Sequence, residues 1–426
     1  MFPVVQLGKI ANFTNGGAWS QEEYSSTGIP VVRVSDISNG RIDLSQCKYL
    51  PLTSLEKYRK HLLFKDDLII ATVGSHKTQQ SSVVGKHAIV TVSEENALLN
   101  QNAVKITPTD ENILDKKYLR FVGSSHYFKN FIAEHARGSA NQARIAISEL
   151  KKMKIPLPSI NIQRSIGEVL STLEEKIMLN QQMNKTLELI AKTLYKEWFV
   201  DFGPFRDNDF EESKLGFIPK GWRIGCIGDI AKVKNGFAFK SSMWQKNGVP
   251  VIKIGNITPP FVNINGVDFV SEDIAAKTSD FLLDAGDLLI GMTGAYIGKT
   301  AILPKFTQKS LLNQRVGKFV SNIEGLNTIP LVYLLSTMES FKEQIRFKAT
   351  GSAQPNISGK GVESIECLIP TENVLSEFIR IIEPIYYSMI KHQNEIIQLN
   401  QTRDFLLPRL LSGEIELKDK IFEEVL

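Results

Sequence analysis

From Ile166 onward, apolar residues return at alternating intervals of four and three, through Leu170, Leu173, Ile177, Asn180, Asn184, Leu187, Ala191, Leu194 and Trp198. A 3.5-residue period marks the narrow seam of a long helix that packs on another helix. The pattern recurs through Phe378, Ile382, Ile385, Met389, His392, Ile396, Leu399, Arg403, Leu406 and Leu410. It predicts two helices of about 40 residues, each roughly 55 Å long, within 156–200 and 371–412. A seam this narrow needs a partner, and the cheapest partner for each helix is the other. Pro384 and Pro408 are expected to kink the second helix or delay its start, because proline has no amide proton for the helical ladder. Asn180 and Asn184 interrupt the first seam and are candidates for fixing its register.

Outside these helices the pattern changes to short β-branched runs punctuated by Gly, Asn and Pro. Residues 249–257, 287–292 and 101–106 read as strands, and 116–131 and 330–347 as short helices. The expected class is α+β. The expected order is a globule (1–155), the central helix (156–200), a link rich in acids and glycines (201–220), a second globule (221–370), the C-terminal helix (371–412) and an acidic tail (413–426).

The two globules are copies. At an offset of 220, Leu7-Gly8-Lys9-Ile10 meets Ile227-Gly228-Asp229-Ile230, and Asn15-Gly16 meets Asn235-Gly236. Gly28-Ile29-Pro30-Val31 meets Gly248-Val249-Pro250-Val251, and Asp67-Leu68-Ile69-Ile70 meets Asp287-Leu288-Leu289-Ile290. The offset then becomes 213: Gly85-Lys86 meets Gly298-Lys299, Leu99-Asn100-Gln101 meets Leu312-Asn313-Gln314, and Gly138-Ser139-Ala140 meets Gly351-Ser352-Ala353. The seven-residue difference falls in one place, at 75–84 against 295–297, as expected of a surface loop. Ordered matches of this kind are the mark of an internal repeat.

Composition narrows the class. The chain has 426 residues, 42% apolar and 23% charged, enough for buried cores in two or three domains. The N-terminus has no basic stretch followed by an apolar core, so no signal peptide is expected. No apolar run approaches the ~18 residues of a membrane span. Cys47, Cys226 and Cys367 are odd in number and far apart, which fits a reducing cytoplasm and no metal site. The net charge of +4 is unevenly spread: +6 over 1–155, zero over 156–200, +2 over 201–370 and −4 over 371–426. A polyanion would prefer the two globules.

Catalytic signatures are weak. Gly294-Ala-Tyr296-Ile-Gly298-Lys299-Thr300 resembles a phosphate-binding loop, but has three residues between its glycines where four are needed. A glycine turn between strands is the better reading. The six histidines (His61, His76, His87, His126, His135 and His392) show no metal-ligand spacing. Asp66-Asp67 could suggest paired carboxylates, yet its repeat partner is Gly286-Asp287, so a turn before a strand fits better. What remains is polar and basic loops. Lys77-Thr78-Gln79-Gln80-Ser81 in the first copy offers groups suited to base edges and phosphates. So do Arg137, Ser139, Asn141, Gln142 and Arg144 around Gly138. Their counterparts are Lys348, Ser352, Gln354 and Asn356, joined by Tyr296 and Lys299 of the glycine turn.

The ordered set resembles the specificity subunit of type I restriction–modification systems over nearly the whole chain. The residues that carry the resemblance are Asn235-Gly236-Phe237-Ala238-Phe239, Gly248-Val249-Pro250, Gly286-Asp287-Leu288-Leu289, Gly298-Lys299-Thr300, Leu312-Asn313-Gln314 and Gly351-Ser352. Leu194-Tyr195-Lys196-Glu197-Trp198-Phe199 and Leu406-Leu407-Pro408-Arg409-Leu410-Leu411 add the helices. The first copy departs from the pattern at Gly17, Trp19 and Asp66. The resemblance implies two target-recognition domains, each reading one half of a bipartite, asymmetric DNA sequence. It implies that the helices pair antiparallel, space the half-sites and dock two modification subunits, with motor–nuclease restriction subunits joining for cleavage. S-adenosylmethionine, ATP and magnesium are then expected on the partner subunits, and no catalytic residue or metal on this chain. On the residues alone, two other readings stay open: a nucleotide hydrolase built on 294–300, and an adaptor whose helices join proteins without touching DNA.

Overall fold

A computed structural model describes residues 2–38, 40–74, 84–139, 142–305, 309–351 and 355–417. The chain divides into two compact units, 1–176 with 399–426, and 177–398. Each unit holds one globule together with a stretch of both long helices.

In the first unit an antiparallel sheet orders Ala11–Asn15, Ala103–Pro108, Leu68–Ala71 and His87–Ile89. A three-stranded sheet of Leu98–Leu99, Ile29–Val32 and Lys48–Leu50 stands beside it. The second unit repeats the plan with Ala231–Asn235, Val316–Ser321, Leu288–Gly291 and Thr300–Ile302, and with Ser310–Leu312 between Val249–Ile252 and Leu282–Leu283. In each copy the strand at the start of the globule pairs with the strand that leads into the long helix. Val4–Gln6 pairs with Lys154–Pro156, and Arg223–Cys226 with Glu366–Ile369. The globule is thus closed before the helix begins. The link 201–220 is itself structured: Phe210–Ser213 pairs with Gly216–Pro219, and Phe202 and Phe205 meet the Trp222 ring at 5.7 and 5.1 Å.

Two expected helices are each divided. Residues 116–131 belong to Lys116–Ser124 and His126–His135, because Ser125 is extended and its hydroxyl accepts from the Phe128 amide, capping the second helix. Residues 330–347 divide likewise at Met338, into Ile329–Thr337 and Glu339–Lys348. Neither boundary shows in the apolar period, which continues across the corner.

The central helix is Ile160–Phe199, and the C-terminal helix is Glu372–Ser412. Pro384 and Pro408 do not delay the second helix, which runs through both. Each proline lies exposed, so water can satisfy the carbonyl one turn earlier. Burial along the seam is graded. Ile166, Leu170, Ile177, Phe378, Ile382, Met389, Ile396 and Leu410 are at most 5% exposed, and Leu173, Leu187, Leu194, Ile385, Leu399 and Leu406 are half-buried. Within the second unit the helices pair antiparallel. Phe378 lies 4.8 Å from the Phe199 ring and 5.3 Å from Trp198, while Asn180 Nδ2 donates to Glu395 Oε2 at 2.9 Å. Within the first unit, Ile166 and Leu170 share a core with Leu410 and Leu411.

Asn180 and Asn184 are 1% and 7% exposed. His392 Nδ1 lies 3.2 Å from Asn184 Oδ1. Asn180 Oδ1 and Asn184 Nδ2 are buried without a partner, an arrangement that costs stability. Asn180→Leu is expected to raise the thermal midpoint by about 2–4 °C, the equivalent of roughly 1 kcal/mol in a domain of this size. A lowered midpoint in a calorimetric scan would make the layer a net source of stability instead.

His87 sits buried in the central sheet of the first unit, and its repeat partner is Thr300. Desolvation, helped by the charge of Lys129, pushes the His87 pKa down to about 4. Below pH 6.5 the unfolded chain therefore binds a proton that the folded chain refuses. His87 is expected to cost on the order of 3 kcal/mol as pH falls from about 6.5 to 4. Urea titrations at pH 7 and pH 4.5 on wild type and His87→Thr would show it; an unchanged pH dependence in the variant would clear His87.

Candidate nucleic-acid interface

Each globule ends its first sheet strand on Asn-Gly, and the structure explains both residues. A Cβ on Gly16 would lie 1.9 Å from the Asn100 carbonyl oxygen, and one on Gly236 would lie 2.2 Å from that of Asn313. Only glycine lets the strand end meet the Leu-Asn-Gln loop this closely. The loop is then tied by the Gly17 amide donating to Leu99 O and the Gln101 amide to Gly17 O, both at 2.8 Å. In the second unit the Phe237 amide donates to Leu312 O and the Gln314 amide to Phe237 O, both at 2.9 Å.

The next residue along carries the ladder outward. The Thr72 amide donates to Asn102 O at 2.8 Å and the Ile145 amide to Thr72 O at 3.0 Å. On this frame a three-stranded ribbon forms, in which Gln142–Arg144 pairs with Arg137–Ser139 on one side and Val73–Gly74 on the other. Arg137 stands opposite Arg144. Between ribbon, strand ends and the helix Ile147–Lys152 lies an open groove of about 610 Å³, whose lining includes Asn15, Thr72, Asn102, His135, Arg137 and Arg144. Glu149 lines the same groove. Its carboxyl is held below the ordinary range by its bond to Lys152 at 2.9 Å and by the charges of Arg137 and His135.

The second unit builds the same frame with other side chains. The Met292 amide donates to Arg315 O at 3.1 Å and the Ile357 amide to Met292 O at 3.0 Å. Thr350 and Asn356 exchange both backbone hydrogen bonds, at 2.9 and 2.8 Å, where the first unit has Arg137 and Arg144. Arg315 thus takes the place of Asn102, Lys348 of His135, and Lys360 of Ser148. Arg315 and Lys360 are exposed and Lys348 is half-buried. The turn bearing Tyr296 and Lys299 joins this loop through the Gly294 amide, which donates to Pro355 O at 2.8 Å.

Of the residues expected from sequence, Arg137 and Arg144 are brought into one groove. Ser139 and Gln142 lie on the ribbon strands. Lys77, Thr78, Gln79, Gln80, Ser81, Asn141, Ser352 and Gln354 lie outside the described residues. Sequence reasoning passed over Asn15, Thr72, Asn102, Glu149, Arg315 and Lys360. The repeat carried a signal for one pair of them: directly after Leu-Asn-Gln, the otherwise matched copies diverge to Asn102 and Arg315.

The other candidate chemistries do not fit. In 294–300 four amides are already used: Gly294 by Pro355 O, Ile297 by Gly294 O, Gly298 by Gly291 O and Lys299 by Tyr296 O. The Thr300 hydroxyl is buried against Ser336 Oγ at 2.8 Å, and the Lys299 ammonium sits 4.8 Å over the Tyr296 ring. With these amides, the hydroxyl and the ammonium turned inward, the segment lacks the open amide cradle of a phosphate-binding loop, which counts against the hydrolase reading. Asp67 is a buried anchor, paired with Lys116 at 2.9 Å and Lys105 at 3.6 Å, as Asp287 is with Lys318 at 2.7 Å. Asp66 has a left-handed φ of 65°, where the second copy uses Gly286. Among the described residues no cluster of His, Cys, Asp or Glu could hold a metal ion, and no helix is long and apolar enough to cross a membrane.

A second surface lies on the central helix. Met178, Leu179, Met183, Leu189 and Ile190 are 40–66% exposed. The spacing Leu179, Met183, Ile190 places an apolar strip on the helix away from the seam.

The type I restriction modification DNA specificity domain model matches twice, at residues 2–189 and 219–401. The chain therefore belongs to that family. It is a specificity subunit of type I restriction–modification systems with two recognition domains. It is 26% identical over 344 residues to the MjaIX specificity subunit of Methanocaldococcus jannaschii, covering 78% of this chain and 76% of the relative. It is 22% identical to the HindI specificity subunit of Haemophilus influenzae, over 90% of this chain and 94% of that one. Its fold is similar to the crystal structure of the type I restriction–modification S subunit from M. genitalium, with a TM-score of 0.63, 15% identity and coverage of 98% and 97% of the two chains.

The Gly16 contact makes the frame testable. Gly16→Ala is expected to destabilise the first unit by about 1–3 kcal/mol, because the Asn100 backbone has to move to admit a methyl group. Limited proteolysis and urea denaturation should show the loss; a stability equal to wild type would mean that the contact is not a constraint.

Proposed function

We propose that this chain is the non-catalytic reader of a modification and restriction complex, and that its two domains read the two halves of one bipartite, asymmetric DNA target. One observation carries this reading: the same loop frame occurs twice, with different exposed donors mounted on it. A conserved frame with exchanged side chains is what two different half-sites require, since base edges are told apart by their donor and acceptor patterns. The basic balance of both globules supports double-stranded DNA as the ligand, and their modest excess of charge leaves much of the phosphate contact to partner subunits.

The paired helices act as the spacer between half-sites. The apolar strip of Leu179, Met183 and Ile190 is a dock for a modification subunit; two such subunits bind the complex, and restriction subunits join them. S-adenosylmethionine, ATP and magnesium belong to these partners. The complex acts in the cytoplasm, where Cys47, Cys226 and Cys367 stay free thiols.

The test is methylation mapping by single-molecule sequencing in cells that express this chain with its modification subunit. Methyladenine is expected at a split, asymmetric motif, and the marks should vanish when this chain is deleted. Arg315→Ala is expected to relax the sequence of one half only. A complex that assembles yet marks no motif would refute the reading and favour an adaptor role.

A further inference from the structure

The ribbon of the first unit sets two like charges opposite each other. Arg137 and Arg144 are directly opposite in an antiparallel ladder, so their side chains share one face, with Cβ atoms about 4.5–5.5 Å apart. Like charges so placed repel. Both residues are exposed, and among the described residues neither is held by a hydrogen bond or an ion pair. The pair is thus left open for an outside acceptor.

The groove narrows the choice of acceptor. A phosphate entering the groove would meet the carboxylate of Glu149, which lines it and lies within the field of Arg137. A guanine–cytosine pair presents the opposite pattern to such a surface: O6 and N7 of guanine accept, and the cytosine amino group donates. We propose that Arg137 and Arg144 donate to O6 and N7 of a guanine, that Glu149 accepts from the amino group of the paired cytosine, and that the half-site read by the first domain therefore contains a guanine–cytosine pair at the ribbon. This rests on the reading of the chain as a DNA specificity subunit. The second domain has Thr350, Asn356 and Gly361 at these places, with neither guanidinium nor carboxylate, so its half-site is read by other contacts.

The experiment uses the complex with the modification subunit and duplexes carrying the mapped target, substituted one base pair at a time. Replacing the guanine–cytosine pair is expected to weaken wild-type binding roughly ten- to a hundred-fold. Arg144→Gln is expected to shift the preference at that position from guanine toward adenine, since a glutamine amide pairs with adenine N6 and N7. Glu149→Ala should relax the same position, with the other half-site unchanged. A new base preference cannot come from a misfolded domain, so the glutamine variant guards against that artefact. Equal loss on every sequence, with the salt slope reduced by about one per arginine, would make the pair a phosphate contact and overturn the proposal. A mapped first half-site without any guanine–cytosine pair would also overturn it while leaving the specificity role intact. A wild-type complex that marks no motif would bring down both.

Discussion

A helix of 40 residues with an apolar seam one or two side chains wide has little to hold it in water by itself. Propensity and charge pairs give only tenths of a kcal/mol per residue or pair, and most helical stability in proteins comes from packing an amphipathic face. Everything else in this chain depends on that seam finding its partner. In the second unit Phe378 meets Tyr195, Trp198 and Phe199, and these rings belong to the same core as Leu288, Ile290 and Phe319 of the sheet. In the first unit Ile166 and Leu170 belong to the core of Val104, Ile106 and Phe121. Helix pairing and globule packing are therefore one cooperative event within each unit.

The closure of each globule follows from the same economy. A chain that must leave as a long helix needs its entry and exit strands side by side, and Val4–Gln6 with Lys154–Pro156, and Arg223–Cys226 with Glu366–Ile369, supply that. Away from this closed end, backbone hydrogen bonds and glycine contacts fix the Leu-Asn-Gln loops and the ribbon. The side chains mounted there are then free of any duty to the core. That freedom lets one copy hold Asn102, Arg137 and Arg144, and the other Arg315, Thr350 and Asn356, on backbones with the same hydrogen bonds.

Buried polar groups differ in how fully their burial is offset. Asn180 and Asn184 each leave one amide atom unpartnered in the seam, next to Glu395 and His392. Leucine at those places would leave no amide atom unpaired. Asp67 is the contrasting case: its burial is offset by Lys116, Lys105 and the Phe64 amide.

The amino-acid sequence by itself determined the duplication, the α+β class, the presence of two long helices and the family resemblance, because each is a pattern of identity or period along the chain. It also marked 294–300 as a turn from the glycine spacing alone. Only the tertiary structure decided where the helices break at Ser125 and Met338, that the helix survives Pro384 and Pro408 on its wet face, and that the stretch 201–220 folds as a hairpin over Trp222. Only the fold, too, brought Asn15, Thr72, Asn102 and Glu149 to the ribbon of Arg137 and Arg144. These residues lie on separate strands and loops up to 134 positions apart. No local period records such a meeting, because it is made by long-range strand pairing and by a glycine that lets two backbones touch.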